Sequence, residues 1–114
     1  MIVVYGIRNC DKCRAALKWF ASEGIEHRFH DLRQDGLDQT LLTTWLTRID
    51  ADALLNKRSK TWRAIPAERR DEPGKTAVIK LVLDYPTVIK RPLVDNGAQL
   101  QVGYDEDVWR QLLA

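Results

Sequence analysis

The sequence predicts an α/β fold of the order βαβ…ββα, in which a four-stranded mixed sheet is built from the two ends of the chain and a helical subdomain is inserted between them. Three observations predict it. An apolar run, Ile2-Val3-Val4-Tyr5-Gly6, is followed by an amphipathic stretch and a second strand-like run ending at Asp31. Helical periodicity then dominates about residues 37–86. Finally, Asn96-Gly97 separates two short β-rich runs ahead of a last amphipathic stretch.

Residues 2–6 read as a buried strand, because the run is short, apolar and rich in β-branched residues. Residues 11–23 read as a helix: Cys13, Ala16, Leu17 and Phe20 recur at helical spacing, and Gly24 stops it. Residues 25–31 form the second strand, closed by the Asp35-Gly36 turn. A strand, a crossover helix and a strand make a βαβ unit, so the two strands should be parallel and the crossover right-handed. The insertion opens with Leu37, Leu41, Leu42, Trp45, Leu46 and Ile49 at helical spacing, followed by a short segment over 50–55. A helical stretch over 59–70 is interrupted by Pro66, and another covers 76–85 with Thr76 as its expected N-cap and Pro86 at its end. Leu93-Val94-Asp95 and residues 99–102 make an antiparallel hairpin around Asn96-Gly97. The last helix, about 105–113, carries acids in its first turn and should bury Val108, Trp109 and Leu112. This order is a thioredoxin-like topology with a helical insertion, read as a single domain over 1–114.

A chain of 114 residues with 45% apolar and 30% charged content supports one core and gives no indication of disorder. A net charge of +2 is too small to imply direct nucleic-acid binding. The basic cluster Lys57, Arg58, Lys60 and Arg63 reads by default as a solvated face. No apolar run approaches the roughly 18 residues of a membrane span, and the N-terminus lacks a secretory pattern, so a cytoplasmic location and no membrane partner are expected.

Both cysteines lie where the first strand meets the first helix, as Cys10-Asp11-Lys12-Cys13. A cysteine at a helix N-terminus faces unpaired N–H groups and the positive end of the helix dipole, which favour the nucleophilic thiolate. Positions 10 and 13 share one face of the first turn and can close a disulfide. Lys12 and Arg14 add positive charge, whereas Asp11 opposes it. Cys10 is therefore the expected nucleophile, and Cys13 either a resolving thiol or a packing residue on the apolar stripe. Zinc is the other reading, because His27-x2-His30 follows the pair. On a strand, however, His27 and His30 point to opposite faces, so no metal site is expected.

Several blocks in order extend this picture: Tyr5-Gly6-Ile7 with Cys10-Asp11, Phe29-His30-Asp31 with Asp35-Gly36-Leu37, and Leu55-Asn56-Lys57-Arg58-Ser59 with Thr61-Trp62-Arg63. Ile89-Lys90-Arg91-Pro92-Leu93 and Val102-Gly103-Tyr104 complete them. Over essentially its whole length the chain resembles the arsenate-reductase-like family that includes ArsC, Spx and YffB, and most of all its YffB branch. The resemblance implies a reactive cysteine at Cys10 and an arginine before a cis-proline at Arg91-Pro92. Such a proline presents backbone to a bound substrate, while Arg91 offers its guanidinium to an anion and favours the thiolate. Arg58 falls in a segment resembling the family's arginine-bearing loop, and Arg14 resembles a basic position of the ArsC and Spx motifs.

Two departures bear on activity. Arsenate reductases of this kind usually carry a histidine four residues before the cysteine, where this chain has Gly6. They also carry a further arginine after the cis-proline hairpin, where it reads Gln99-Leu100-Gln101-Val102. Fewer positive donors suit a multiply charged oxyanion poorly. The expected function is a cytoplasmic thiol reductase with no bound cofactor and glutathione as co-substrate, in which Cys10 forms a mixed disulfide, with glutaredoxin as a possible partner. The alternatives are a Spx-like redox-switched regulator that binds RNA polymerase, suggested by the paired cysteines, and an arsenate reductase.

Overall fold

A computed structural model describes residues 2–113; Met1 and Ala114, at the limits of the expected 1–114 domain, lie outside them. Two compact units divide the chain: residues 2–36 together with 91–113, and Leu37–Lys90.

In the first unit, β1 (Ile2–Gly6), α1 (Asp11–Ser22) and β2 (His27–Asp31) form the expected βαβ motif, and β3 (Leu93–Asp95), β4 (Leu100–Val102) and α7 (Glu106–Leu113) form the ββα end. The strands make one sheet in the order β2-β1-β3-β4. β1 and β2 are parallel, with Val4 opposite Phe29 and Gly6 opposite Asp31. β1 and β3 are antiparallel, as are β3 and β4, with Val4 opposite Val94 and Val94 opposite Gln101.

Because side chains alternate along a strand, Val4, Phe29 and Val94 share one face. There they pack with Ala16, Trp19 and Phe20 of α1 and with Trp109 of α7. The rings of Trp19, Phe20 and Tyr104 surround Trp109 at 5.3, 5.2 and 4.8 Å. Gln101, on the same face, accepts the Trp109 indole N–H at 2.5 Å, so the one polar atom of that ring is satisfied. Val108 and Leu112 are only half-buried, leaving Trp109 as the anchor of the last helix. Asp105 supplies its N-terminal acceptor, taking the Val108 N–H at 3.1 Å.

The second unit holds the helices α2 (Gln39–Arg48), α3 (Ala51–Leu54), α4 (Lys60–Ala64), α5 (Ala67–Arg70) and α6 (Lys75–Asp84), then a 3₁₀ turn, Pro86–Val88. Asp38 caps α2 through the Leu41 N–H at 2.8 Å, and Ser59 caps α4 through the Trp62 N–H at 3.1 Å. Leu42, Trp45 and Leu46 of α2 and Leu81 and Val82 of α6 are buried here. Thr76 does not cap α6. Gly74 does, at φ 99°, a conformation open to glycine that places the helix start before the threonine. The unit also runs past 86: Asn56 and Lys90 N–H groups pair with the Val88 and Leu54 carbonyls at 2.7 and 2.9 Å, tying residues 54–56 to 88–90. Among the described residues, no helix is long and apolar enough to cross a membrane.

Candidate functional site

At the C-terminal end of β1 the chain turns through residues 7–9 and enters α1 at Cys10, the N-cap residue, whose backbone is extended (φ −138°, ψ 122°). Its carbonyl accepts the Arg14 N–H at 2.9 Å and so starts the helix. Its sulfur stands where a serine or aspartate oxygen would cap the third residue of the helix. It closes no regular capping bond, yet the Cys13 N–H lies close enough to favour its anionic form.

The two thiols differ sharply. Cys10 is half-buried, and Cys13 is fully buried. Burial alone would push the Cys10 thiol up, but the N–H and S–H of Cys13 and the Arg91 guanidinium all favour the anion, and the thiol ends below its ordinary value. Cys13 is pushed up to about 12, first by burial and then by its hydrogen bond to Cys10 and the charge of that neighbour. The pair is thus biased toward a Cys10 thiolate that receives a hydrogen bond from the Cys13 thiol. The helix terminus anticipated from the sequence contributes through the Cys13 amide.

Arg91 arrives from the other end of the chain. The Arg91-Pro92 peptide is cis, Pro92 is buried, and the Pro92 carbonyl accepts the Gly103 N–H at 2.8 Å. Cys10, Cys13, Arg91 and Pro92 thus all belong to the first unit. Arg14 is turned elsewhere: its guanidinium donates to the Arg8 carbonyl at 3.1 Å and pairs closely with Asp11. Arg58 is an exposed residue of the second unit, with its N–H on Asn56 Oδ1 at 3.2 Å and its carbonyl accepting from Arg63 at 2.6 Å.

The histidines diverge as strand parity requires. The His27 ring lies tilted against Phe20 at 5.4 Å, whereas His30 lies tilted against Tyr5 at 5.0 Å and bonds the Gly36 carbonyl at 2.7 Å. Among the described residues, no cluster of three or more His, Cys, Asp or Glu side chains is arranged for a metal ion.

Gly6 explains the seat of Cys13. A Cβ at position 6 would fall well inside the contact radius of the Cys13 sulfur and crowd the Cys13 Cβ. The absent side chain is the space that Cys13 fills. Gly6→Ala should therefore displace Cys13 at a cost of about 1–3 kcal/mol. The checks are a lower urea midpoint and faster alkylation of Cys13 in the native protein.

The sequence profile of the ArsC family matches residues 5–112. This chain belongs to the ArsC family. A relative from Haemophilus influenzae, described only as an uncharacterized protein, is 41% identical over 100% of both chains. The global transcriptional regulator Spx 1 of Bacillus cereus is 27% identical, covering 99% of this ArsC-family chain and 87% of the regulator. Among solved structures, the YFFB protein superposes with a TM-score of 0.93 at 29% identity, covering 100% of both chains. The mixed four-stranded sheet of the ArsC fold, with its thioredoxin-like topology, is accordingly the architecture of this chain.

Proposed function

We propose that this ArsC-family protein is a thiol–disulfide reductase in which Cys10 is the nucleophile and glutathione the co-substrate. The observation that carries the reading is the asymmetry of the pair: a half-exposed Cys10 with a lowered pKa beside Arg91, and a buried Cys13 held as a thiol. The Cys10 thiolate attacks one sulfur of a disulfide, forming a new S–S bond, and the other sulfur leaves as a thiolate. A second glutathione thiolate, or Cys13 after losing its proton, then attacks the mixed disulfide. On a Cys10–glutathione mixed disulfide, the glutathione thiolate attacks the glutathione sulfur, so glutathione disulfide departs and Cys10 is released as a thiolate. Cys13 instead attacks the Cys10 sulfur, so a glutathione thiolate departs and a Cys10–Cys13 disulfide remains. Arg91 offers a planar cation for a glutathione carboxylate, and the exposed Arg58 is a further candidate for anion binding. Arsenate suits the site less well, since position 6 carries no side chain and its space belongs to Cys13.

The test is intact-mass analysis of the reduced protein after exposure to oxidised glutathione. A glutathione adduct on Cys10 or a Cys10–Cys13 disulfide is expected; the absence of both removes the proposal. The likeness to Spx supports a second reading, a redox-switched regulator. Capture of RNA polymerase subunits by the oxidised protein, lost on reduction, would favour it over the enzyme.

A further inference from the structure

Asp31 is the one charged residue among the described residues that is buried, at 2% exposure, and thiol chemistry makes no direct use of it. Its register partner is Gly6, at the C-terminal ends of the parallel pair β1 and β2, where open α/β sheets gather their sites. The carboxylate divides its work. Oδ1 accepts the N–H groups of Arg33 and Gln34 at 2.8 and 3.0 Å, closing the turn after β2. Oδ2 reaches across 23 residues of sequence to the Arg8 N–H at 3.1 Å.

The turn alone needs only one oxygen, so the charge and the second oxygen answer to Arg8. Arg8 is also held from its other side, since its carbonyl accepts from Arg14 at 3.1 Å. Beside this link, the Leu32 N–H pairs with the Gly6 carbonyl at 2.8 Å. Three N–H donors repay the cost of burying the carboxylate, and the group that gains fixed geometry is the short loop ending at Cys10.

We propose that Asp31 and Arg14 are positioning residues that grip the Arg8 backbone at its N–H and its carbonyl, and so hold the 7–9 loop where it presents Cys10. The inference rests on Cys10 being the nucleophile. Neither residue touches the sulfur. Each acts by keeping Cys10 aligned with the Cys13 amide and the Arg91 guanidinium, on which its thiolate depends.

Asp31→Asn separates the two tasks of the carboxylate. An amide oxygen still closes the turn, but the amide nitrogen meets the Arg8 N–H donor against donor. The experiment is iodoacetamide labelling of the full chain at pH 7, with the rate at Cys10 read by peptide mass and folding followed by circular dichroism. In Asp31→Asn, Cys10 labelling should slow about five- to tenfold, with the thiolate absorbance appearing at higher pH while the spectrum of the fold is retained. Arg14→Met, at an exposed position, should slow it about two- to threefold. A folded Asp31→Asn protein whose Cys10 labels within twofold of the parent overturns the inference. If that variant does not fold, an unchanged rate in Arg14→Met overturns it. A parent protein whose Cys10 fails to label overturns the functional reading itself, a result distinct from either.

Discussion

Cys10→Ser should abolish mixed-disulfide formation with oxidised glutathione, with a loss of at least about a thousandfold, whereas Cys13→Ser should still accumulate a glutathione adduct. A serine hydroxyl stays protonated across the physiological range, so neither the Cys13 amide nor Arg91 can turn it into a nucleophile. The pH dependence follows from the direction of each shift. With the Cys10 pKa lowered, the reactive thiolate persists below the pH at which an ordinary cysteine is protonated, and labelling declines only as pH falls through that lowered value. Cys13, pushed up to about 12, contributes no thiolate over the same range. Site-resolved alkylation from acid to mildly alkaline pH should therefore give one rising curve, assigned to Cys10 and absent from Cys10→Ser. A curve assigned to Cys13 would reverse the roles given to the pair.

Trp109→Ala should be the most destabilising single change in the first unit, costing about 3–5 kcal/mol against a total stability of about 5–15 kcal/mol for a domain of this kind. Trp109 is fully buried, three aromatic rings pack around it, and its indole N–H is bonded to Gln101. Truncation opens a cavity between α1, α7 and the sheet and leaves the Gln101 oxygen without its donor. Urea unfolding should show the loss as a lower midpoint. Trp109→Phe, which keeps a ring but drops the N–H, should recover more than half of it. An alanine variant within 1 kcal/mol of the parent would mean that the last helix adds little to the core.

What could be read in the sequence was what local periodicity encodes. Strands one and two, the first helix, the Asn96-Gly97 hairpin and the final helix each carry their own pattern of apolar residues and turn signals, and the structure has them within one or two residues. The place of Cys10 at a helix start was legible for a related reason, because the apolar periodicity of α1 begins just after it. Tertiary choices were not. Thr76 looked like a cap because it has a hydroxyl, but the cap position went to Gly74, whose backbone could take a positive φ. Arg14 looked like charge for the thiolate, but Asp11, one turn earlier, and the Arg8 carbonyl hold it instead.

Asp31 gave only a faint signal, an acid closing a strand just before Asp35-Gly36, and its bond to Arg8 spans a distance no sequence window covers. The cis peptide at Arg91-Pro92 came from family resemblance, since physical preference alone favours trans. That Gly6 is needed by Cys13 could be learned only from the contact.

The sheet order has a bearing on how the chain comes to life. β1, made first, sits between β2, which follows it closely, and β3, which pairs with it only after Leu37–Lys90 have been made. During synthesis one flank of β1 therefore waits unpaired, and the sulfur of Cys10 exists long before the arginine that favours its charge. Pairings so distant along the chain form late. A ribosome-bound fragment ending before residue 91 thus carries Cys10 with the Cys13 groups but without the guanidinium that further lowers its pKa, so under the proposed function the nucleophile gains its full bias toward the anion only once Arg91 is in place.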